Sequence, residues 1–163
     1  SDWIIFGKPS GLGAITGMVA GLATFTTASG SVGPAGALIA GFAGGVICYA
    51  ATNYLKQKLR VDDSLDVFPV HGVGGIVGTF LAGILVSSDL GVFSGRGLAD
   101  GVSIGSQVGV QLKGILIVGF YTAILTIVLL KLVSVLTGGI RVTKDDEEQG
   151  LDIVDHDEKG YSI

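Results

Sequence analysis

Polar and apolar positions divide the chain into long uncharged runs separated by short polar breaks. No charge occurs from Leu12 to Ser29, nor from Ala35 to Leu55, nor from Val67 to Val86, nor from Gly114 to Leu130. Runs of roughly 20 apolar residues match the length a helix needs to cross a bilayer's hydrocarbon core. The pattern predicts helices over about 12–29, 34–56, 66–87 and 106–137, with turns at Gly30-Ser31-Val32-Gly33-Pro34 and at Gly138-Gly139. Pro34 suits a helix's first turn, where its missing N–H costs nothing. Within the runs small residues recur every fourth position (Gly13, Gly17, Gly21; Gly41, Gly45), the spacing that lets two helix backbones approach closely.

One ionisable side chain interrupts this apolar material. His71 lies in Asp66-Val67-Phe68-Pro69-Val70-His71-Gly72-Val73-Gly74-Gly75, inside the third run. An ionisable group within a membrane span is expensive and marks a functional position by default. The plainer reading is a buried histidine satisfied by a backbone carbonyl. Imidazole suits a relay or an orienting role because one ring nitrogen donates and the other accepts. Asp66 does not complete a catalytic pair with it. Five residues at about 100° each place the two roughly 140° apart on a helix. Asp62, Asp63 and Asp66 read more simply as caps for the coming helix and as partners for Lys56, Lys58 or Arg60.

Composition sharpens the membrane reading and removes others. Hydrophobic residues make up 48% of the chain, charged residues 15%, and the mean hydropathy is +0.68. The net charge of −4 is uneven: residues 145–163 carry eight acids against Lys159, a balance of −7, which leaves +3 elsewhere. No surface basic enough for nucleic acid is expected. The glycines sit in helices without the lysine of a phosphate-binding loop. The second histidine, His156, lies in the tail, so neither a metal centre nor a cofactor is expected. The single Cys48 reads as a small buried side chain. Ser1-Asp2-Trp3-Ile4-Ile5-Phe6 lacks the basic leader of a cleavable signal peptide and reads as the last turns of a further helix, a stub.

The basic residues set an orientation. Lys8, Lys56/Lys58/Arg60 and Arg141/Lys144 fall on one side if the four runs alternate; the opposite loops hold Arg96, with Lys113 near that edge. The positive-inside rule makes the richer side, and hence the tail, cytoplasmic. The expected division is a membrane domain over 1–140 and an acidic cytoplasmic tail over 141–163. From composition alone that tail is a solvated end; its apolar Leu151, Ile153, Val154 and Tyr161 equally allow docking.

Three ordered stretches resemble the C-terminal half of an ammonium transporter of the Amt/Mep/Rh family. They are Gly7-Lys8-Pro9-Ser10; then Leu59-Arg60-Val61-Asp62-Asp63 with Asp66-Val67-Phe68-x-Val70-His71-Gly72-Val73-x-Gly75; then Gly150-Leu151-Asp152 with His156-x-Glu158-x-x-Tyr161. The resemblance implies an all-α integral membrane fold: four complete spans and a stub, forming the second half of an eleven-helix inverted-repeat transporter. It implies a homotrimer in a plasma membrane (inner membrane if bacterial), with one narrow pore per subunit for ammonium or ammonia in nitrogen uptake. His71 would be the second of two pore histidines, with Val67 and Phe68 toward the inner mouth. Gly150, Leu151, Asp152, His156, Glu158 and Tyr161 would belong to a regulatory tail that contacts a neighbouring subunit and helps receive a P-II signal protein. The first histidine, the outer aromatic gate and the outer cation-recruiting site belong to the other half, so this chain alone is expected not to conduct. The sequence departs from the family at Thr26-Thr27-Ala28, where Thr-Pro-Ala is usual, and at Ser64, where Pro or Ala is common. An ammonium sensor on the same scaffold is the alternative function; an enzyme is not expected.

Overall fold

A computed structural model describes residues 7–8, 10–86 and 97–158. The N-terminal stub (1–6), most of the polar loop after the third helix, and Tyr161 lie outside the described residues. The described chain is all-helical, with no strand among its described residues. It comprises two units, Ser1–Ile117 and Val118–Ile163.

In the first unit, α1 (Gly11–Thr26) begins where the Ser10 side chain accepts from the Gly13 N–H at 2.9 Å. It ends at Thr26 although the apolar run continues to Ser29. The Thr26 and Thr27 hydroxyls turn back onto the carbonyls of Ala23 and Thr24, and the Ala28 N–H closes a tight turn on Phe25. α2 (Pro34–Asn53) starts with proline in its first turn and runs on through a π-helical segment, Tyr54–Leu59, to a left-handed Arg60. α3 begins as a second π-helical segment, Phe68–Val73, and continues as α-helix over Gly74–Leu85. Asp66, which the hydropathy pattern assigns to this helix, stands before it with φ 56°.

Small residues set the packing. A Cβ on Gly21 would lie 3.0 Å from the Gly41 carbonyl oxygen, and one on Gly45 would lie 3.6 Å from that of Gly17. The glycines spaced by four in α1 and α2 therefore do bring the two backbones together. All three helices meet at Thr24, which is fully buried and donates its hydroxyl to the Ala20 carbonyl at 2.8 Å. Gly44 of α2 and Gly74 and Gly78 of α3 close around it.

α4 (Ile104–Thr137) is the longest element, 34 residues, and it spans the boundary between the units. In the first unit Gly83 of α3 approaches Val108 and Gln111 on it. From Val118 onward its Leu, Ile, Val and Phe side chains are exposed all round, a surface suited to lipid or to further helices. Gly138 and Gly139, both at positive φ, end it. Two short helices follow, α5 (Lys144–Gln149) and α6 (Leu151–His156). Thr143 caps α5 by accepting from the Asp146 N–H at 3.2 Å, and Arg141 pairs with Glu147 at 3.2 Å.

Pro34–Leu59, Phe68–Leu85 and Ile104–Thr137 are long and apolar enough to cross a membrane. α1 is apolar but has only 16 residues. That is about 24 Å of helix, against a hydrocarbon core of about 30 Å.

Candidate functional site

The backbone ahead of His71 is held by its neighbours. Asp63 accepts from the N–H groups of Val67 and Phe68 at 2.9 and 2.8 Å, and the Val70 N–H reaches the Asp66 carbonyl at 3.0 Å. Pro69 has no N–H to satisfy, so every amide of the helix's opening turn is accounted for. Asp66 faces away from this role. Its Oδ1 lies 2.8 Å from Lys56 Nζ, a charge contact whose direction is not that of a hydrogen bond. The carboxylates of this passage thus act as cap and ion-pair partner, and His71 has neither as a partner.

Residues 69–71 split between inside and outside. Pro69 and Val70 are buried, with Val70 in one cluster with Ala20 of α1 and Cys48 of α2. The Cys48 thiol points at the Val70 carbonyl from 4.0 Å, a weak contact. His71, next along the chain, is exposed and has no hydrogen bond or ion pair among the described residues. Its face is bare: a Cβ on Gly75, one turn on, would meet nothing within 4 Å. Val67, one turn before, is 53% exposed and lies on the same side. Phe68 is 56% exposed, but its ring lies over Gly72, whose Cβ would come 3.0 Å from Phe68 Cδ2, so it flanks the histidine face.

A cavity of about 610 Å3 opens between α1 and α2 and is bordered by Asp66 and Val70. His71 does not line it. The histidine therefore presents a polar ring on a glycine-lined open surface, available to whatever covers that surface, and not to this cavity.

The tail residues form their own small arrangement. Gly150 has φ 95°, and Asp152 Oδ1 stands 2.7 Å from where its Cβ would be, so glycine is required at this turn. Asp152 opens α6, His156 lies in its last turn, and the Glu158 N–H bonds back to the Asp152 carbonyl at 2.9 Å. Leu151 and Ile153 are exposed. Among the described residues no cluster of His, Cys, Asp and Glu is arranged to hold a metal ion.

Two features carry no signal in the sequence pattern. The π-helical winding at 54–59 and 68–73 leaves hydropathy unchanged, and the convergence on Thr24 needs three helices at once. A lone proline two residues before the histidine is the one local hint.

Comparison with known proteins gives a consistent result. The model of the Ammonium Transporter Family matches residues 1–161. An ammonium transporter of Mycobacterium tuberculosis is 41% identical over 96% of this chain and 33% of its own length. One from Bacillus subtilis is 36% identical over 98% of this chain and 39% of its own. The solved structure of a sensor Amt protein superposes with a TM-score of 0.79 at 25% identity, covering 95% of this chain and 36% of that one. The chain thus spans roughly two fifths or less of the length of the relatives it matches.

Proposed function

This chain belongs to the ammonium transporter family, and from that premise we propose that it supplies one wall of a narrow apolar pathway for ammonium or ammonia, with His71 lining it. The observation that carries the proposal is the bare face of α3. A membrane-length apolar helix turns its one imidazole outward onto a glycine-lined surface and gives it no partner among the described residues. A plain structural histidine would instead be expected to spend a ring nitrogen on a nearby carbonyl.

The chemistry follows from solvation. Carrying an intact ammonium ion into an apolar conduit incurs a large desolvation cost, whereas neutral ammonia does not. Such a lining favours transfer of one proton to water or to a relay group before or during passage, leaving neutral ammonia in the conduit. Neutral imidazole can accept one hydrogen bond and donate another, so His71 orients the guest and takes part in the proton path without holding a charge in oil. Val67 stands one turn from His71 toward the cytoplasmic end, with Phe68 flanking it, and the two narrow the inner mouth.

The remaining assignments complete the reading. α1 to α4 cross the membrane four times as the second of two inverted repeats, residues 1–140, and the assembly is a homotrimer in a plasma membrane. The basic side that holds Lys56, Lys58 and Arg60 is cytoplasmic, and so is the tail, 141–163. Gly150, Leu151, Asp152, His156, Glu158 and Tyr161 make the tail a contact for a neighbouring subunit and for a P-II signal protein. A second reading, an ammonium sensor on the same scaffold, draws on the likeness to a sensor Amt protein.

The test is uptake of methylammonium by cells producing the intact protein. The His71→Ala variant should lose uptake or its selectivity at equal membrane abundance. Native flux and selectivity in that variant would defeat the pore assignment. Ammonium binding with no flux in the native protein would favour the sensor.

A further inference from the structure

We propose that Pro69 is a positioning residue for His71: by burying its ring it holds the Phe68–Val73 segment in π winding, and that winding turns the imidazole out of the helix junction onto the open face. The proposal rests on the reading of His71 as a pore residue for its functional meaning, but its geometry stands apart from transport.

In a continuous α-helix at about 100° per residue, with Gly74 as zero, Gly78 stands at about 40°, Ala82 at about 80° and Leu85 at about 20°. All four are buried on the face turned to the helix junction; Gly83, at about 180°, is buried separately against Val108 and Gln111 of α4. Counting back at the same rate places His71 at about 60°, in the middle of that face, and Pro69 at about 220°, opposite it. The structure shows the reverse for these two: Pro69 is buried and His71 is exposed, while Val70, at about −40° by the same count, is buried as either winding allows. Turns closed by i→i+5 bonds advance by only about 80° per residue, which brings Pro69 to about −40°, Val70 to about 40° and His71 to about 120°. His71 then joins Gly75, at about 100°, and Thr79, at about 140°.

The energetics favour that exchange. α-Winding would bury an imidazole where Ala20 and Cys48 offer little polar partnership and would expel the proline ring. π-Winding buries the proline ring as well as Val70 and leaves the polar ring free. The missing N–H of Pro69 is not the cause, because an amide in this first turn has no intrahelical partner in either winding. Burial of the ring is the cause, so a bulky apolar replacement should serve and a polar one should not.

The experiment uses the intact membrane protein, with native Cys48, which is buried, as the internal blank. Single cysteines are placed at Val70, His71 and Gly75 and exposed to methyl methanethiosulfonate, which is small and uncharged and so avoids the desolvation cost a cation meets in an apolar conduit. Labelling at 71 and 75 with protection at 70 is expected; labelling at 70 with protection at 71 would overturn the winding even if no further variant folds. Adding Pro69→Asn should cut labelling at 71 by about tenfold or more, whereas Pro69→Val should stay within about twofold. Equal labelling at 71 in the Pro69→Asn protein would overturn the role of the buried ring. With His71 in place, Pro69→Asn should also lower methylammonium flux by about tenfold, and Pro69→Val should restore it. Altered labelling with unaltered flux would keep the positioning and remove the pore reading of His71.

Discussion

The position a Cβ would take on Gly78 falls on the main-chain carbonyl of Thr24 and against the Thr27 hydroxyl. α1 and α3 are therefore in backbone contact, nearly two turns beyond the histidine that α3 presents. Because the obstacle is main chain, the helices themselves must separate to admit a methyl group. Gly78→Ala should destabilise the protein by about 1–3 kcal/mol, the usual cost of overpacking a dense junction. Thermal unfolding in detergent checks this; an unchanged midpoint would show that the junction is looser than described.

Asp63 holds two first-turn amides with one side chain, those of Val67 and Phe68. Replacing it with alanine should cost about 1 kcal/mol, typical of a lost N-cap. Local hydrogen exchange should rise at Val67 and Phe68 first, while α1 and α2 keep their protection.

Lys56 ties the end of α2 to Asp66, just ahead of α3. The lysine side chain is 41% exposed, so screening keeps the pair's worth to about 1 kcal/mol or less. Lys56→Met should therefore lower unfolding stability only slightly, and the loss should shrink further as salt is raised in the native protein. A loss of several kcal/mol would show that the pair is drier than its exposure implies.

The helical class was legible because uncharged runs such as Ala35 to Leu55 have no alternative but burial or lipid. The glycine spacing that predicts close contact in α1 and α2 holds at Gly21 with Gly41 and at Gly17 with Gly45, since packing through small residues is a property of two helix surfaces alone. His71 could be singled out as the one ionisable residue in its run, and capping by Asp63 followed from its place before a helix. Its outward direction could not be read. Hydropathy is blind to winding, and an α-helical wheel turns His71 inward. The meeting of Gly44, Gly74 and Gly78 on Thr24 was equally hidden, because it needs three helices placed at once. The two short helices of the tail were also not legible; their caps at Thr143 and Gly150 lie within a run that composition marks only as acidic.

The tail offers a test independent of the pore. Gly150 adopts a positive φ between α5 and α6, with Asp152 against the site of a Cβ. Gly150→Ala should misplace α6, and deletion of 150–163 should remove its exposed Leu151 and Ile153 altogether. Under the docking reading both lower ammonium transport or abolish its regulation by a P-II protein. A deletion that transports and responds as the native protein does would leave the tail a solvated end.

The most direct measurement is flux into proteoliposomes holding the intact protein after an ammonium pulse, with and without His71→Ala at matched reconstitution. The account predicts that the native protein moves ammonium or ammonia and that the variant loses at least about tenfold in rate or loses its discrimination. Native rate and native selectivity in His71→Ala vesicles would contradict it.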